Sequence, residues 1–265
     1  MQRMIKDPNI ENGRHLVDHF RYIATSSHQL EFQEKGNFIA ISSREGPKGG
    51  NYILGVGEDK TEFQYFIETF KQKKCSFTWF STPLTPQLEM TLQAFGLEKA
   101  NELIGLSFNL DNFVNVTQPS DDIRIKEVRS TEDFVHWCTV HATVWNKSLE
   151  NTLSFFQGFH LNLDKPEIVR LFVSEMNGHC VGSSALYMQD DIAGCYWGAV
   201  LPDYRKKGLA TLMLEKRLQV AQAQGCKKVV AQCLPSSKKI FQKSGFLHEC
   251  DFALYRYKIS QENVR

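Results

Sequence analysis

The chain has 265 residues, 42% hydrophobic and 12% aromatic, with 31 basic side chains against 30 acidic ones for a formal net charge of +1. That length allows one large domain or two small ones, and the composition excludes a disordered chain. The charge balance offers no field to draw nucleic acid or an anionic membrane, and neither is expected as a partner. No apolar run approaches the ~20 residues of a bilayer span. Met1–Asn12 carries charge without the apolar core of a secretion signal, so a cytoplasmic protein is expected.

Seven cysteines, an odd number with no Cys-x-x-Cys, suggest reduced thiols and no zinc site, and no metal is expected. His15 and His19 stand one helical turn apart, but the intervening Leu16, Val17 and Asp18 do not make the His-Glu-x-x-His of a zinc hydrolase. They read as a solvated or core pair.

In chain order, a helix is expected over residues 13–25, with His15, Leu16, Phe20 and Ile23 to one side. Strands follow at Phe38–Ser42 and Asn51–Val56, on either side of the turn Gly46–Gly50. The helical spacing of Phe63, Phe66, Ile67 and Phe70 predicts a helix over Lys60–Lys73. A strand at Ser76–Phe80 leads through Pro83 and Pro86 into a helix closed by Gly96, and a strand at Ile104–Leu110 ends this half. Polar Asn115–Asp122 reads as a linker.

The second half opens with a strand at Ile123–Val128 and a helix to His141 that Ser130 can cap, with Asp133 completing a loose capping box. A helical segment follows around Leu149–Leu161, then a three-strand meander over Ile168–Val200. Its first turn is Asn177-Gly178, a pair that readily takes positive φ, and its second is Gln189-Asp190-Asp191. A helix is predicted from Gly208 to Gln224, stopped by Gly225. A strand at Lys228–Cys233, a short helix at Ser236–Ser244 and a strand at His248–Tyr257 complete the order β-α-α-β-β-β-α-β-α-β.

The segment Val200-Leu201-Pro202-Asp203-Tyr204-Arg205-Lys206-Lys207-Gly208-Leu209-Ala210 is the most informative. A strand, a turn and a helix N-terminus succeed one another directly, which exposes unpaired N–H groups at the positive end of a helix dipole, a site suited to pyrophosphate. Gly208 lets the main chain approach phosphate without a Cβ, Ala210 keeps the first helical turn small, and Arg205, Lys206 and Lys207 add charge. A Walker loop would need Gly-Lys-Ser/Thr and a dinucleotide fold three spaced glycines, and neither is present. On its own the segment also fits a capped helix after a strand with a solvated basic turn.

Arg205-x-x-Gly208-x-Ala210, with the preceding Val-x-Pro-x-Tyr-Arg, resembles the Gln/Arg-x-x-Gly-x-Gly/Ala signature of the GNAT superfamily of N-acetyltransferases. Lys243-Ser244-Gly245-Phe246 is similar to that family's Tyr-x-x-x-Gly-Phe segment, and the order of elements agrees over about 140 residues. The resemblance implies an α/β fold of the α+β kind, with a mixed, mainly antiparallel sheet flanked by helices. It implies acetyl-CoA as co-substrate and a small-molecule or peptide amine as acceptor. The fourth and fifth strands of the second half would splay around the pantetheine arm. Gly198, Ala199 and Val200 would bond the pantetheine or thioester, and the amides of Arg205, Lys206, Lys207, Gly208, Leu209, Ala210 and Thr211 would cradle the pyrophosphate. Lys238, Lys239 and Lys243 could also meet phosphate.

The family's usual tyrosine acid, four residues before the Gly of Gly-Phe, is here Phe241, which lines the cofactor side but cannot donate a proton. Tyr196, Tyr204, Ser236, Ser237 or water are the substitutes, while Glu175, Asp190, Asp191 and Glu150 are candidate bases. The departure keeps a second reading open, a non-catalytic acyl-CoA-binding or scaffolding module. The sequence leaves monomer and homodimer equally open.

Residues 60–110 repeat the order helix, strand, short helix, Gly, strand, with Pro86 ten positions before Gly96 as Pro235 is before Gly245. This resembles a degenerate second GNAT unit, giving a tandem of 1–117 and 118–265. Its would-be phosphate turn, Gly55-Val56-Gly57-Glu58-Asp59-Lys60, carries two carboxylates that would repel pyrophosphate, so no acetyl-CoA is expected there. Phe77-Thr78-Trp79-Phe80 reads as core, or as one wall of an acceptor cleft between the units.

Overall fold

Local signals place most elements. The computed structural model describes residues 8–44, 50–56, 59–82, 85–114, 119–165 and 167–259. The turn residues Gly46–Gly49, the pair Gly57-Glu58, Pro83 and the linker residues Asn115–Gln118 lie outside the described residues. Helix α1 (Pro8–Thr25) is followed by β1 (Leu30–Lys35), β2 (Phe38–Ser43), β3 (Tyr52–Val56), α2 (Lys60–Gln72), β4 (Phe77–Thr82), α3 (Pro86–Ala94) and β5 (Glu98–Asn109). The second half runs β6 (Ile123–Glu127), α4 (Thr131–Trp145), α5 (Leu149–Phe155), α6 (Gln157–His160), β7 (Val169–Met176), β8 (His179–Gln189) and β9 (Ile192–Val200). It ends with α7 (Leu209–Ala223), β10 (Lys228–Cys233), α8 (Lys238–Lys243) and β11 (Leu247–Tyr257).

The expected caps form. Ser130 accepts from the Asp133 N–H, and the Asp133 carboxylate reaches back to the Arg129 N–H, which closes the start of α4. Thr85 caps α3 ahead of Pro86. Asn177 and Gly178 take φ of 51° and 78° in the β7–β8 turn, the left-handed pair of a tight hairpin. Two features differ from expectation. Strand β1 carries only one fully buried side chain, Leu30, and apart from Phe32 its remainder is polar, which hides it from a pattern search. Strand β5 starts at Glu98 because its exposed polar first half pairs with β11 and needs no apolar alternation.

All eleven strands join one sheet in the order β1-β2-β3-β4-β11-β5-β10-β9-β8-β7-β6. The arrangement from β1 to β11 mirrors that from β7 inward to β5, and β6 alone has no counterpart. Strands β3 and β4 are parallel, as are β9 and β10. The last strand of each half then crosses over, with β11 antiparallel to β4, β5 antiparallel to β10, and the two exchanged strands paired at the centre. The polypeptide halves are thus interlocked through their ladders.

Paired residues share a sheet face, and the β5–β11 register sorts the helices. Leu103 and Phe252 face the core built with α1, α4 and α6. Their neighbours Ile104 and Ala253 face the other side, where α7 and α8 cover one core and α2 and α3 another. Helix α1 therefore packs on both halves. Its buried Asn12 donates to the Leu106 carbonyl on β5 (3.0 Å) and accepts from Gln232 on β10 (2.6 Å). Lys228 adds ion pairs to Glu11 (2.8 Å) and Glu249 (2.6 Å). Among the described residues no helix is long and apolar enough to cross a membrane.

The crossover generates a prediction. Expressed alone, residues 118–265 lack β5, whose Leu106 and Phe108 are buried at 0% and 7% exposure. This fragment is expected to give a poorly dispersed NMR spectrum, and mixing with separately made 1–117 should restore a native one.

Candidate active site

Parallel pairing between β9 and β10 stops at Cys195 opposite Ala231. Beyond it β9 keeps only β8 and β10 keeps only β5, so the sheet opens between them. On its β8 side, Ala199 pairs with Ser183 and Tyr196 with Ala185, which sets Trp197 and Gly198 together opposite Ser184. This is a β-bulge, and Trp197 takes the left-handed φ of 54° within it. The Leu201 N–H bonds the Val181 carbonyl (2.9 Å). Antiparallel alternation therefore turns the N–H and C=O of Val200 away from β8, towards the opening.

The chain then makes a 3-10 turn at Pro202–Tyr204 and enters α7 through Lys206 and Gly208, both at positive φ (63° and 82°). A Cβ on Gly208 would meet nothing within 4 Å, so open space lies on that side. The first helical bond runs from the Leu212 N–H to the Gly208 carbonyl, and no side chain caps the helix. The N–H groups of Lys206, Lys207, Gly208, Leu209, Ala210 and Thr211 have no acceptor among the described residues. These are unclaimed donors at a helix N-terminus, the arrangement that binds anions.

The basic side chains around them are exposed. Arg205 folds back, its Nε donating to the Val200 carbonyl (3.1 Å), which braces the turn, and Lys207 Nζ lies 5.1 Å from the centre of the Tyr204 ring. Phe241 on α8 is half-buried and meets the Phe246 ring edge-on at 5.2 Å. Ser236 and Ser237 sit in the turn before α8, the first exposed and the second half-buried. Lys239 and Lys243 are exposed and Lys238 half-buried.

The corresponding place in the first half is closed. Strands β3 and β4 stay paired to Val56 and Thr82, with no splay. The Asp59 carboxylate accepts from the Thr61 and Glu62 N–H groups, so the N-terminus of α2 is filled by its own chain. The repulsive carboxylate of the sequence reading is in fact a helix cap.

Tyr196 is buried, and its hydroxyl bonds His15 Nδ1 at 2.7 Å. Burial, and next the neighbouring Tyr187, hold its ionisation well above the ordinary tyrosine range. Tyr204 is half-buried against the cluster of Val181, Leu209 and Leu212. Asp190 and Asp191 stand at the far end of β9, at ~3.3 Å per residue about 20 Å from the bulge, too far to act as its base. Glu175 lies on β7, with β8 between it and β9, and Glu150 is exposed on α5. Phe77 and Trp79 are core, while Phe80 turns to the other face, half-buried among Phe20 and Tyr52.

Spacing along the chain assigns His15 and His19 no role. Both are buried against β9: His15 bonds the Tyr196 hydroxyl, and His19 Nε2 accepts the Trp197 indole N–H at 2.7 Å. The available signal was two polar residues inside the apolar stripe of α1. Six cysteines (Cys75, Cys138, Cys180, Cys195, Cys226 and Cys233) have thiols pushed up by burial, Cys233 to about 11, so none is a ready thiolate. Among the described residues no group of three or more His, Cys, Asp or Glu could hold a metal ion.

With this geometry in place, residues 128–246 match the model of the acetyltransferase (GNAT) family. The architecture is the GNAT fold. A comparison with curated protein sequences finds no match. Among solved structures, the chain is similar to a GCN5-related N-acetyltransferase from Kribbella flavida, with TM-score 0.67, 15% identity and coverage of 96% of each chain. It is also similar to a GCN5-related N-acetyltransferase from Sphaerobacter thermophilus (TM-score 0.61, 12% identity, 84% of this chain and 81% of that one). A third similar structure is a tandem GNAT protein from the clavulanic acid biosynthesis pathway (TM-score 0.62, 11% identity, 88% of this chain and 85% of that one).

Burial holds His15 and His141 down to about 4, and His19 well below its ordinary value. Unfolding returns them to about 6.5, so the unfolded chain binds more protons in acid. The benefit of keeping them neutral is complete above pH 6.5 and is lost as pH falls towards 4, on the order of 3 kcal/mol for each of His15 and His141. Chemical denaturation between pH 7 and 4 is expected to show this fall, and His141→Phe should flatten the slope by about one proton.

Proposed function

We propose that this chain transfers an acetyl group from acetyl-CoA to a primary amine of a small molecule or peptide, and that residues 118–265 hold the co-substrate. The observation that carries the reading is the set of unclaimed N–H donors from Lys206 to Thr211 beside an opening that begins at Cys195–Ala231. The donors would take the pyrophosphate, Arg205, Lys206 and Lys207 would add charge, and Leu209, Ala210 and Thr211 would form the floor of the first helical turn. The pantetheine arm would run along Gly198, Ala199 and Val200, with Phe241 opposite. Charge-assisted bonds of about 1.5–3 kcal/mol each make micromolar affinity attainable from three or four of them.

In the reaction the neutral amine attacks the thioester carbonyl carbon, a C–N bond forms, and the C–S bond breaks to release CoA thiolate. A backbone N–H at the bulge would stabilise the developing oxyanion. The proton leaves the amine to solvent or base and one reaches the thiolate. Phe241 cannot supply it. A thiol of pKa about 8.5 is already a fair leaving group at neutral pH, so the loss of a tyrosine acid costs toward the low end of the ~10²–10⁴ range of general acid catalysis. A second reading, a non-catalytic acyl-CoA-binding or scaffolding module, is favoured by Phe241 and by a first half whose helix N-terminus is filled by Asp59. We further propose that 1–117 and 118–265 are two copies of one unit, the first without co-substrate, since Asp59 fills its helix N-terminus.

Calorimetry is expected to find one CoA per chain, and thiol release with a panel of amines separates transferase from binding module. No CoA affinity in folded protein would remove both readings. Gly208→Val places a Cβ in open space at a φ that side chains resist, a backbone cost of about 1–2 kcal/mol. Its CoA affinity should fall at least tenfold while the thermal midpoint drops by only a few degrees. Phe241→Tyr should raise turnover by no more than about a hundredfold, the low end of what general acid catalysis supplies.

A further inference from the structure

Six described non-glycine residues have positive φ, and five of them lie in turns or at a helix end. Trp197 alone sits inside a strand. An aromatic residue does not hold that conformation without support, and left-handed residues inside strands gather at functional sites. The support comes from the other half of the molecule. His19 on α1 accepts the Trp197 indole N–H at 2.7 Å, and its ring stacks on Tyr196, centroid to centroid 3.9 Å and 5° from parallel. His15, one turn earlier, holds the Tyr196 hydroxyl at 2.7 Å. Tyr196 and Trp197 are the two residues immediately after Cys195, where β9 parts from β10.

His19 is 0% exposed, and its Nδ1 has no hydrogen-bond partner among the described residues. Because Nε2 accepts from the indole, the proton of the neutral ring is on Nδ1. A buried half-satisfied imidazole is a poorer space filler than Leu or Phe, which would leave no orphaned donor. What an apolar residue could not supply is the Nε2 acceptor. Gly198, next to the clamped indole, is exposed, with nothing within 4 Å of where a Cβ would lie.

We propose that His19 is a positioning residue for acetyl transfer: through Trp197 it locks the β9 bulge, so that the main chain at Gly198 meets the thioester carbonyl and the β9–β10 opening stays fixed. The inference rests on the acetyl-CoA reading above and assigns the first half a task, since α1 carries the clamp. His19 itself touches no reacting atom.

The test uses the full chain and acetyl-CoA labelled with ¹³C at the carbonyl, so no acceptor is needed. His19→Phe removes the acceptor, His19→Gln puts an amide oxygen near the place of Nε2, and Trp197→Phe removes the donor. In the parent protein the bound carbonyl resonance should move downfield of free acetyl-CoA, as it does when a donor polarises the C=O. His19→Phe and Trp197→Phe should return it most of the way to the free position with CoA dissociation constants within threefold of the parent. His19→Gln should keep the shift, and the double variant should do no more harm than either single one. With an active amine, kcat should fall at least tenfold in the two Phe variants while KM for acetyl-CoA holds. An unchanged shift in His19→Phe, or equal loss in a folded His19→Gln, overturns the clamp and leaves the transferase reading standing. Should His19→Phe not fold, Trp197→Phe decides alone. Parent protein that binds no acetyl-CoA overturns both.

Discussion

The end of parallel pairing at Cys195–Ala231 is the constraint on which the rest of the molecule turns. Up to that point β9 and β10 are ordinary neighbours in a sheet. Past it each is held only from its outer side, β9 by β8 and β10 by the exchanged strand β5. A sheet that opens leaves backbone groups without partners, and such groups are costly unless water or a ligand takes them up. Val200 shows the solution in part, since its carbonyl accepts from Arg205. The rest of the opening, with the bare start of α7, is a place where the chain's own hydrogen bonding is left incomplete.

The two halves make the point by contrast. They share an order of strands and helices and a parallel pair followed by an exchanged strand, yet only one has an opening. In the first half β3 and β4 stay together, the connection to α2 is short, and Asp59 satisfies the helix N-terminus. In the second half the connection from Val200 to Leu209 is longer, passes through two residues of positive φ, and caps nothing. The same architecture has one end sealed and the other left open. The sealed half still reaches the open one, because α1 packs across the centre and places Asn12, His15 and His19 against β5, β10 and β9.

Those contacts are polar and deeply buried, which sets their electrical state. Histidines surrounded by Tyr187, Tyr196, Phe159 and Trp197 lose hydration that the charged form needs, so they stay neutral at physiological pH. A neutral imidazole can accept a hydrogen bond and a charged one cannot. Burial is therefore what makes an acceptor available to the indole at the bulge.

Features governed by neighbours in the chain were legible from residue order. The Phe63–Phe70 stripe made α2, Asn177-Gly178 made a hairpin and Ser130 capped α4. The turn before α7 leaves the N–H groups from Lys206 to Ala210 without acceptors among the described residues, though that of Arg205, expected among them, bonds the Pro202 carbonyl (3.2 Å). Each depends on atoms a few positions apart, so spacing and side-chain chemistry are enough. The exchange of β5 and β11 was not legible, because either strand offers β10 the same backbone donors and acceptors and the pattern of side chains does not say which ladder forms. Strand β1 and the Asp59 cap are not legible either, because one is an edge strand with a single buried side chain and the other depends on where the chain turns into α2. The grip of α1 on β9 joins residues separated by 178 and 181 positions. Only folding brings such residues within bonding distance, and no period or motif along the chain encodes their meeting.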